Sequence, residues 1–465
     1  MSTRYQPYSP EQPALLPVCP QDWLTEDHLA YQIRDLVGTL DLSAIHRWYV
    51  KDARGAPPFD PVMMVSIQLY AWCNSVYSSR NTAKLCVSDL GCRYLAAGYR
   101  PDFRTINAFR LTHGEALAGL FLQSVRICQQ AGMVSLGHVA VDGSKLMANA
   151  SKHKAMSYGR MVTAEEQLRA EIEEIKLRSA AEDAQEDTLF GKDNSGYSLP
   201  DELKFRTSRL ERILEAKAAL EAQARAAAEA HVAELERSRG SEDDPDKPRR
   251  GRKPKDPEVA VPKDSAQRNF TDPESRIMKS GTGVWVQGYN GQAAVDSEHQ
   301  VIVACKLTNM AADAPHFPEM VEQVKQNTGV EPVQKSADAG YFSKENVETC
   351  TTPFSQTYIP PDRKQHRRLT AALVRALLET DDAQLSVADR MRKLLCTPEG
   401  REAYAMRKKT VEPVFGQLKG CPGSPGFRQF LRRGLTKAKQ EWCWVCAAHN
   451  FKKYMRHQLL ASSTI

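Results

Sequence analysis

Three acidic residues stand where chemistry at phosphorus would need them. Asp142 closes the apolar run Gly137-His-Val-Ala-Val-Asp142 and precedes Gly143-Ser144. Asp338 follows a second strand-like run from Val333 and leads into Ala339-Gly340-Tyr341. Glu412 lies in a helix-like segment, residues 404–419, crowded with Arg and Lys. A lone acid among 57 Asp and Glu residues carries no information. Two acids at strand ends and one on a late basic helix are the parts of a two-metal phosphoryl-transfer site. Clustered carboxylates repel one another, so such a cluster needs a cation. Hard oxygen ligands and a phosphate substrate point to Mg²⁺ or Mn²⁺.

Total charge says little about partners: 63 Lys and Arg against 57 Asp and Glu leave +6. The distribution says more. Residues 404–456 hold twelve Lys or Arg and two Glu. That is either a phosphate-binding footprint or a solvated helix face. The N-terminus is polar and proline-containing, and no apolar run nears the roughly 20 residues of a membrane span. The expectation is a cytoplasmic protein with its eleven Cys reduced. Cys443-Trp-Val-Cys446, with His449 beyond it, has no second ligand pair, so core packing outweighs structural zinc.

Helices must frame these acids. Asp60 caps a helix that starts at Pro61. Further helices are expected over 80–87, from 101 through Arg110, and over 116–131. Arg80, Arg93, Arg100, Arg104 and Arg110 lie near helix ends, which suits either a helix-turn-helix-like DNA reader or an ordinary bundle. Thr163-Ala-Glu-Glu166 reads as a capping box ahead of a helix to about 184, and a second long helix covers 200–236. Together they form an αα-hairpin with no catalytic chemistry. Residues 239–275 read as linker. Within them Arg249-Arg-Gly-Arg-Lys-Pro-Lys255 reads as a plain charge run, or as an AT-hook-like segment that would set Arg250 and Arg252 in the minor groove of A·T-rich DNA, despite the inserted Lys253.

Strands are expected over 284–295 and 300–307 as a hairpin, then a helix, a strand over 332–338, a short helix, and a strand over 356–359. This is the order of a ribonuclease-H-like α/β core, a mixed five-stranded sheet with helices. An N-terminal helical domain and a long helical-hairpin insertion complete the expected architecture. In that core the first and fourth strands are neighbours, which would join Asp142 to Asp338, and a later helix can deliver Glu412. The expected division is an N-terminal helical, DNA-binding region (1–132), first part of the core (133–160), hairpin insertion (161–238), disordered basic linker (239–280), core continued (281–360), helical insertion (361–402) and C-terminal core helices (403–456).

The motifs resemble a bacterial insertion-sequence transposase of the DDE superfamily, in the branch with a Tyr-Arg-Glu signature. The segments that carry the likeness are Ser78-Ser-Arg80, residues 101–110, Val141-Asp-Gly-Ser-Lys145, Gln287-Gly-Tyr-Asn-Gly-Gln292, Ala337-Asp-Ala-Gly-Tyr341, the stretch from Tyr404 to Lys419, and Glu441 to Asn450. One spacing departs from the signature. Arg407 is three after Tyr404, but Glu412 is five after Arg407, and Lys408 holds the place four before it. Either basic residue can fill that role. The resemblance implies hydrolytic nicking of transposon ends and joining of 3′-hydroxyls to target DNA. It implies Asp142, Asp338 and Glu412 as metal ligands, and Tyr404, Arg407, Lys408 and Lys419 as DNA contacts. Arg104 and Arg110 are read as DNA contacts of the N-terminal region. The expected partner is duplex DNA, held by a homodimer or larger assembly. Asp313 reads as a helix cap with a possible supporting role near the metals. The rival reading is a catalytically silent, transposase-derived DNA-binding protein.

Overall fold

The computed structural model describes residues 22–49, 57–190, 201–239, 256–281, 283–362, 371–420 and 425–462. Seven α-helices among them precede the first strand: α1 (Leu29–Thr39), α2 (Ser43–Tyr49), α3 (Pro61–Cys73), α4 (Ser79–Ser88), α5 (Leu90–Leu95), α6 (Phe103–Thr112) and α7 (Gly114–Gln130). Polar caps start several of them. Asp60 accepts from the Val62 N–H ahead of α3, with Pro61 in its first turn. Ser78, Asp89 and Asp102 do the same for α4, α5 and α6.

Then come β1 (His138–Met147), β2 (Ala155–Ser157), α8 (Tyr158–Phe190) and α9 (Asp201–Arg239). Next are β3 (Gln267–Asn269), β4 (Arg276–Lys279), β5 (Trp285–Asp296), β6 (Ile302–Thr308), α10 (Phe317–Thr328), β7 (Gln334–Ala337), α11 (Lys344–Cys350) and β8 (Gln356–Tyr358). The chain ends in α12 (Ala371–Glu379), α13 (Val387–Cys396), α14 (Pro398–Lys419) and α15 (Leu435–Ser462). The main sheet runs β4-β5-β1-β7-β8, with β6 also paired to β5. It is mixed: β1 is antiparallel to β5 and parallel to β7.

Three expectations change. The sheet has six strands rather than five, and the additional strand, β4, comes from the segment expected to be linker. Residues 256–281 are folded: β3 pairs with β2 and β4 with β5. Their polar composition concealed this, because Asn269 and Asp272 are buried with their bonds made inside the protein. Asn269 donates to Ser151 O, and Tyr289 Oη donates to Asp272 Oδ1. The proposed capping box is also absent. Helix α8 begins at Tyr158, and Thr163 sits inside it, donating its hydroxyl to Gly159 O. Finally, α14 begins at Pro398, so its first residues come from the stretch expected as a helical insertion. Arg250 and Arg252 lie outside the described residues.

One continuous apolar core joins the first helices, the sheet and α15, from Ala30 to Met455. Asn450 staples it: its amide exchanges bonds with the Ile302 backbone on β6 and donates to Ser124 Oγ on α7. Away from this core, α8 and α9 pack on each other through Leu168, Ile213 and Leu220, and through Ile172, Ile175 and Leu203. Among the described residues no helix is long and apolar enough to cross a membrane.

Candidate active site

The parallel register of β1 and β7 places Val141 opposite Ala337. Asp142 and Asp338 are the residues that follow this pair. Asp142 is not at a strand end, as the apolar run implied. Strand β1 continues to Met147 and stays paired with β5, Asp142 lying opposite Ala293. The end that matters belongs to β7, which stops at Ala337 and leaves that side of β1 open at Asp142. Asp338 caps the turn that follows, accepting from the Gly340 N–H at 2.8 Å.

A fourth acid joins them. Asp313 Oδ1 accepts from Lys145 Nζ at 2.9 Å, Asn290 Nδ2 at 2.7 Å and Gln292 Nε2 at 2.9 Å. It makes no side-chain cap bond to the turn it precedes, so it is not the helix cap expected of it. Gly143 is what lets this group close on β1: a Cβ there would lie 2.3 Å from Gln292 Nε2 and 3.0 Å from Asp313 Oδ1. The β5 motif is thus a scaffold. Its Asn290 and Gln292 hold Asp313, Tyr341 Oη donates to Gln292 Oε1, and Gly288 allows the Leu146 carbonyl to approach where a Cβ would clash at 2.2 Å. The alternation of Asn290 and Gln292, both buried on one strand, was the available signal for a polar partner.

Helix α14 brings the last acid. Arg407 donates through Nη1 to Asp142 Oδ2 at 3.2 Å and through Nη2 to Glu412 Oε1 at 3.0 Å. Lys408 is exposed, so of the two basic residues it is Arg407 that faces the acids. The Arg407 guanidinium lies 5.8 Å from the Tyr404 ring centroid, and Lys419 donates to Ser144 Oγ on β1. Pro413 removes the N–H that Lys409 O would accept within the helix. The Gln300 side chain donates to that carbonyl instead, at 3.0 Å, from a residue held at φ 58° between β5 and β6.

Residues 18–111 match the family model described as a transposase domain (DUF772), and residues 368–455 match one described as a transposase DDE domain. The two matches support an insertion-sequence DDE transposase. No curated protein and no solved structure matches it. The DDE match spans Tyr404, Arg407, Glu412 and Lys419 of the transposase; Asp142, Asp313 and Asp338 lie outside both matches and rest on geometry alone.

Electrostatics in the transposase site follow from burial. Burial pushes the Asp142 carboxyl up to about 6; Arg407 and the Gly143 N–H pull it down, while Asp338 and Asp313 raise it further. Burial opposes the charge of Arg407, yet Asp142, Tyr404, Glu412 and Asp338 hold its pKa above the ordinary value. Burial lowers Lys419 against the pull of Asp142. In kind, these carboxylates fit a hard divalent cation, with no thiol among them. As placed, no three His, Cys, Asp or Glu among the described residues are gathered closely enough to hold one. Arg407 stands between Asp142 and Glu412 and supplies the positive charge there.

The other expected DNA contacts divide. Arg104 is exposed on α6. Arg110, expected at a DNA-facing helix end, is buried instead: its guanidinium donates to Gln68 Oε1 and Tyr77 O. Those partners lie 42 and 33 positions earlier in the chain, beyond any local reading.

Proposed function

We propose that this transposase binds the terminal inverted repeats of an insertion sequence, cleaves DNA strands there by hydrolysis, and joins the resulting 3′-hydroxyl ends to target DNA. The observation that carries this reading is the register of β1 and β7 beside α14, with Arg407 reaching from Asp142 to Glu412. Asp142, Asp338 and Glu412 would hold Mg²⁺ or Mn²⁺. When bound, such ions lower the pKa of an attacking water and stabilise a leaving oxygen.

The protein's own groups do the rest. In hydrolysis the water oxygen bonds to phosphorus as the P–O3′ bond breaks, which frees a 3′-hydroxyl. In joining, that hydroxyl oxygen bonds to a target phosphorus as the target's P–O3′ bond breaks, which frees the target strand's 3′-hydroxyl. Both steps depend on positioning and charge neutralisation more than on a protein nucleophile. Asp313, fixed by Lys145, Asn290 and Gln292, holds the floor of the site. Arg407, backed by Tyr404, exchanges its carboxylate partners for phosphate oxygens when DNA arrives. Lys419, Lys408 and Arg104 contact the backbone, and Arg250 and Arg252 enter an A·T-rich minor groove. The Tyr404, Arg407 and Glu412 set supports a place in the Tyr-Arg-Glu branch, with one additional residue between Arg and Glu. Two ends must be joined, so the working assembly is a homodimer or larger on DNA.

A plasmid carrying the element's ends tests this. The reading expects nicks at those ends with Mg²⁺ and none with a chelator. End binding without nicks at any divalent metal concentration would favour the silent DNA-binding alternative.

A further inference from the structure

A cavity of about 590 Å³ lies between α3, α6 and α7 on one side and α15 on the other, and none of the four acids lines it. Several donors in its wall are unmatched. Trp72 Nε1, Trp444 Nε1, Arg110 Nη2 and Arg432 Nε are all buried donors without a partner, and all four residues line this one cavity. A buried donor left without a partner is costly, so four in one place favour a ligand rich in acceptor atoms. Four Arg line the cavity (Arg80, Arg104, Arg110 and Arg432) against the single acid Glu441, which favours an anion. Two of them are exposed: the Arg80 and Arg104 guanidiniums lie 5.1 and 5.6 Å from the Phe103 ring centroid. Indole and phenyl rings beside unmatched N–H groups suit a planar heterocycle with carbonyl or ring-nitrogen acceptors. The volume is in the range of small-ligand sites.

We propose that this cavity takes a single unpaired nucleotide of a DNA strand, its phosphate on Arg80 and Arg104 and its base among the indoles and buried donors. Stacking on an aromatic wall and charge-assisted bonds to phosphate are the two contributions that such binding uses. A duplex cannot offer this unit, because its bases are stacked and paired within the helix. The choice of a strand over a free nucleotide rests on the DNA-cleaving reading; the nucleotide chemistry itself does not.

Trp72 and Trp444 line the cavity, so intrinsic fluorescence reports occupancy. The full chain is titrated with a short single-stranded oligodeoxynucleotide, with the matching blunt duplex and with free dTMP. The Arg80→Ala/Arg104→Ala double variant, altered only at exposed side chains, is run beside it, and Lys176→Ala on the hairpin serves as a control. The expected result is saturable quenching by the single strand, tighter than by dTMP. The double variant should weaken it about tenfold or more, and Lys176→Ala should leave it unchanged. Equal affinity of wild type and double variant overturns the proposal. So does duplex binding as tight as the single strand with the same loss in the variant, which would reduce the arginines to surface charge. Free dTMP binding as tightly as the strand would overturn the strand assignment. Nicking of plasmid ends with no quenching removes the cavity proposal and leaves the cleavage reading; quenching with no nicking does the reverse.

Discussion

The helical hairpin and the carboxylate site are both rich in charge, and they hold it differently. On α8 and α9 the ions pair at the surface: Arg206 with Glu171 at 2.7 Å, and Lys176 with Glu173 at 2.9 Å with both side chains more than half exposed. Around Asp142 the charges lie mostly under cover, with Glu412, 49 % exposed, at the rim. Asp313 has three donors, and Arg407 is only 10 % exposed between two acids. Surface pairs contribute roughly 0–1 kcal/mol each. Buried charges cost more to assemble than they return in stability unless every partner is present. The hairpin's charges therefore serve solubility and pairing. In the proposed function those on β1, β7 and α14 serve chemistry, at some cost to the fold.

That contrast orders the expected effects of substitution. Asp142→Asn, Asp338→Asn or Glu412→Gln should each reduce end cleavage by about a thousandfold or more, since metal-assisted catalysis supplies several kcal/mol. Binding of the ends, carried by Lys and Arg, should change little in filter or gel-shift measurements. Asp313→Asn should cost less, about ten- to a hundredfold in cleavage, because Asp313 orients the site from behind. A loss as large as that of Asp142→Asn would promote it to a ligand, and no loss would return it to the surface class.

A third effect is on stability and depends on pH. Glu441 is buried facing Arg110 and Arg432 and accepts from the Leu431 and Arg432 N–H groups. Burial still pushes its carboxyl up to about 7. A raised carboxyl binds its proton more tightly in the folded chain. Its contribution is present below the unfolded value and is lost as pH rises through about 7. Thermal unfolding of the wild type should therefore show stability falling from about pH 5 to 8 by up to roughly 3 kcal/mol relative to Glu441→Gln. Parallel profiles for the two proteins would mean that the arginines keep Glu441 ionised throughout. The smallest effect is expected on the hairpin. Arg206→Met or Lys176→Met should shift stability by less than about 1 kcal/mol and leave cleavage rates alone; a large change in cleavage would erase the distinction between the two regions.

Much of this site was legible because its signals are local. The apolar run before Asp142 and the strand-like run before Asp338 marked two strands, and the concentration of Lys and Arg around Glu412 marked its helix. What escaped reading depends on distant partners. Arg110 looked like a DNA contact because a helix end with an Arg is all that the local sequence displays; Gln68 and Tyr77 decide its burial. Asp313 looked like a cap because it precedes a helix, whereas its three donors come from β1 and β5. Strand β4 was hidden by composition, since its flanking Asn269 and Asp272 are polar yet buried. The choice between Arg407 and Lys408 needed the rotation of α14, which adjacent residues cannot reveal.

Metal binding by the carboxylates is tested most directly by Mn²⁺ titration followed by electron paramagnetic resonance. The full chain is held on a short duplex carrying the element's end, and wild type is compared with Asp338→Asn. Asp338 lies beside Asp142 by strand register, so loss of its charge should weaken Mn²⁺ binding by about tenfold or more while the duplex stays bound. Mn²⁺ binding of equal strength and stoichiometry in both proteins would contradict a metal site built on these two strands.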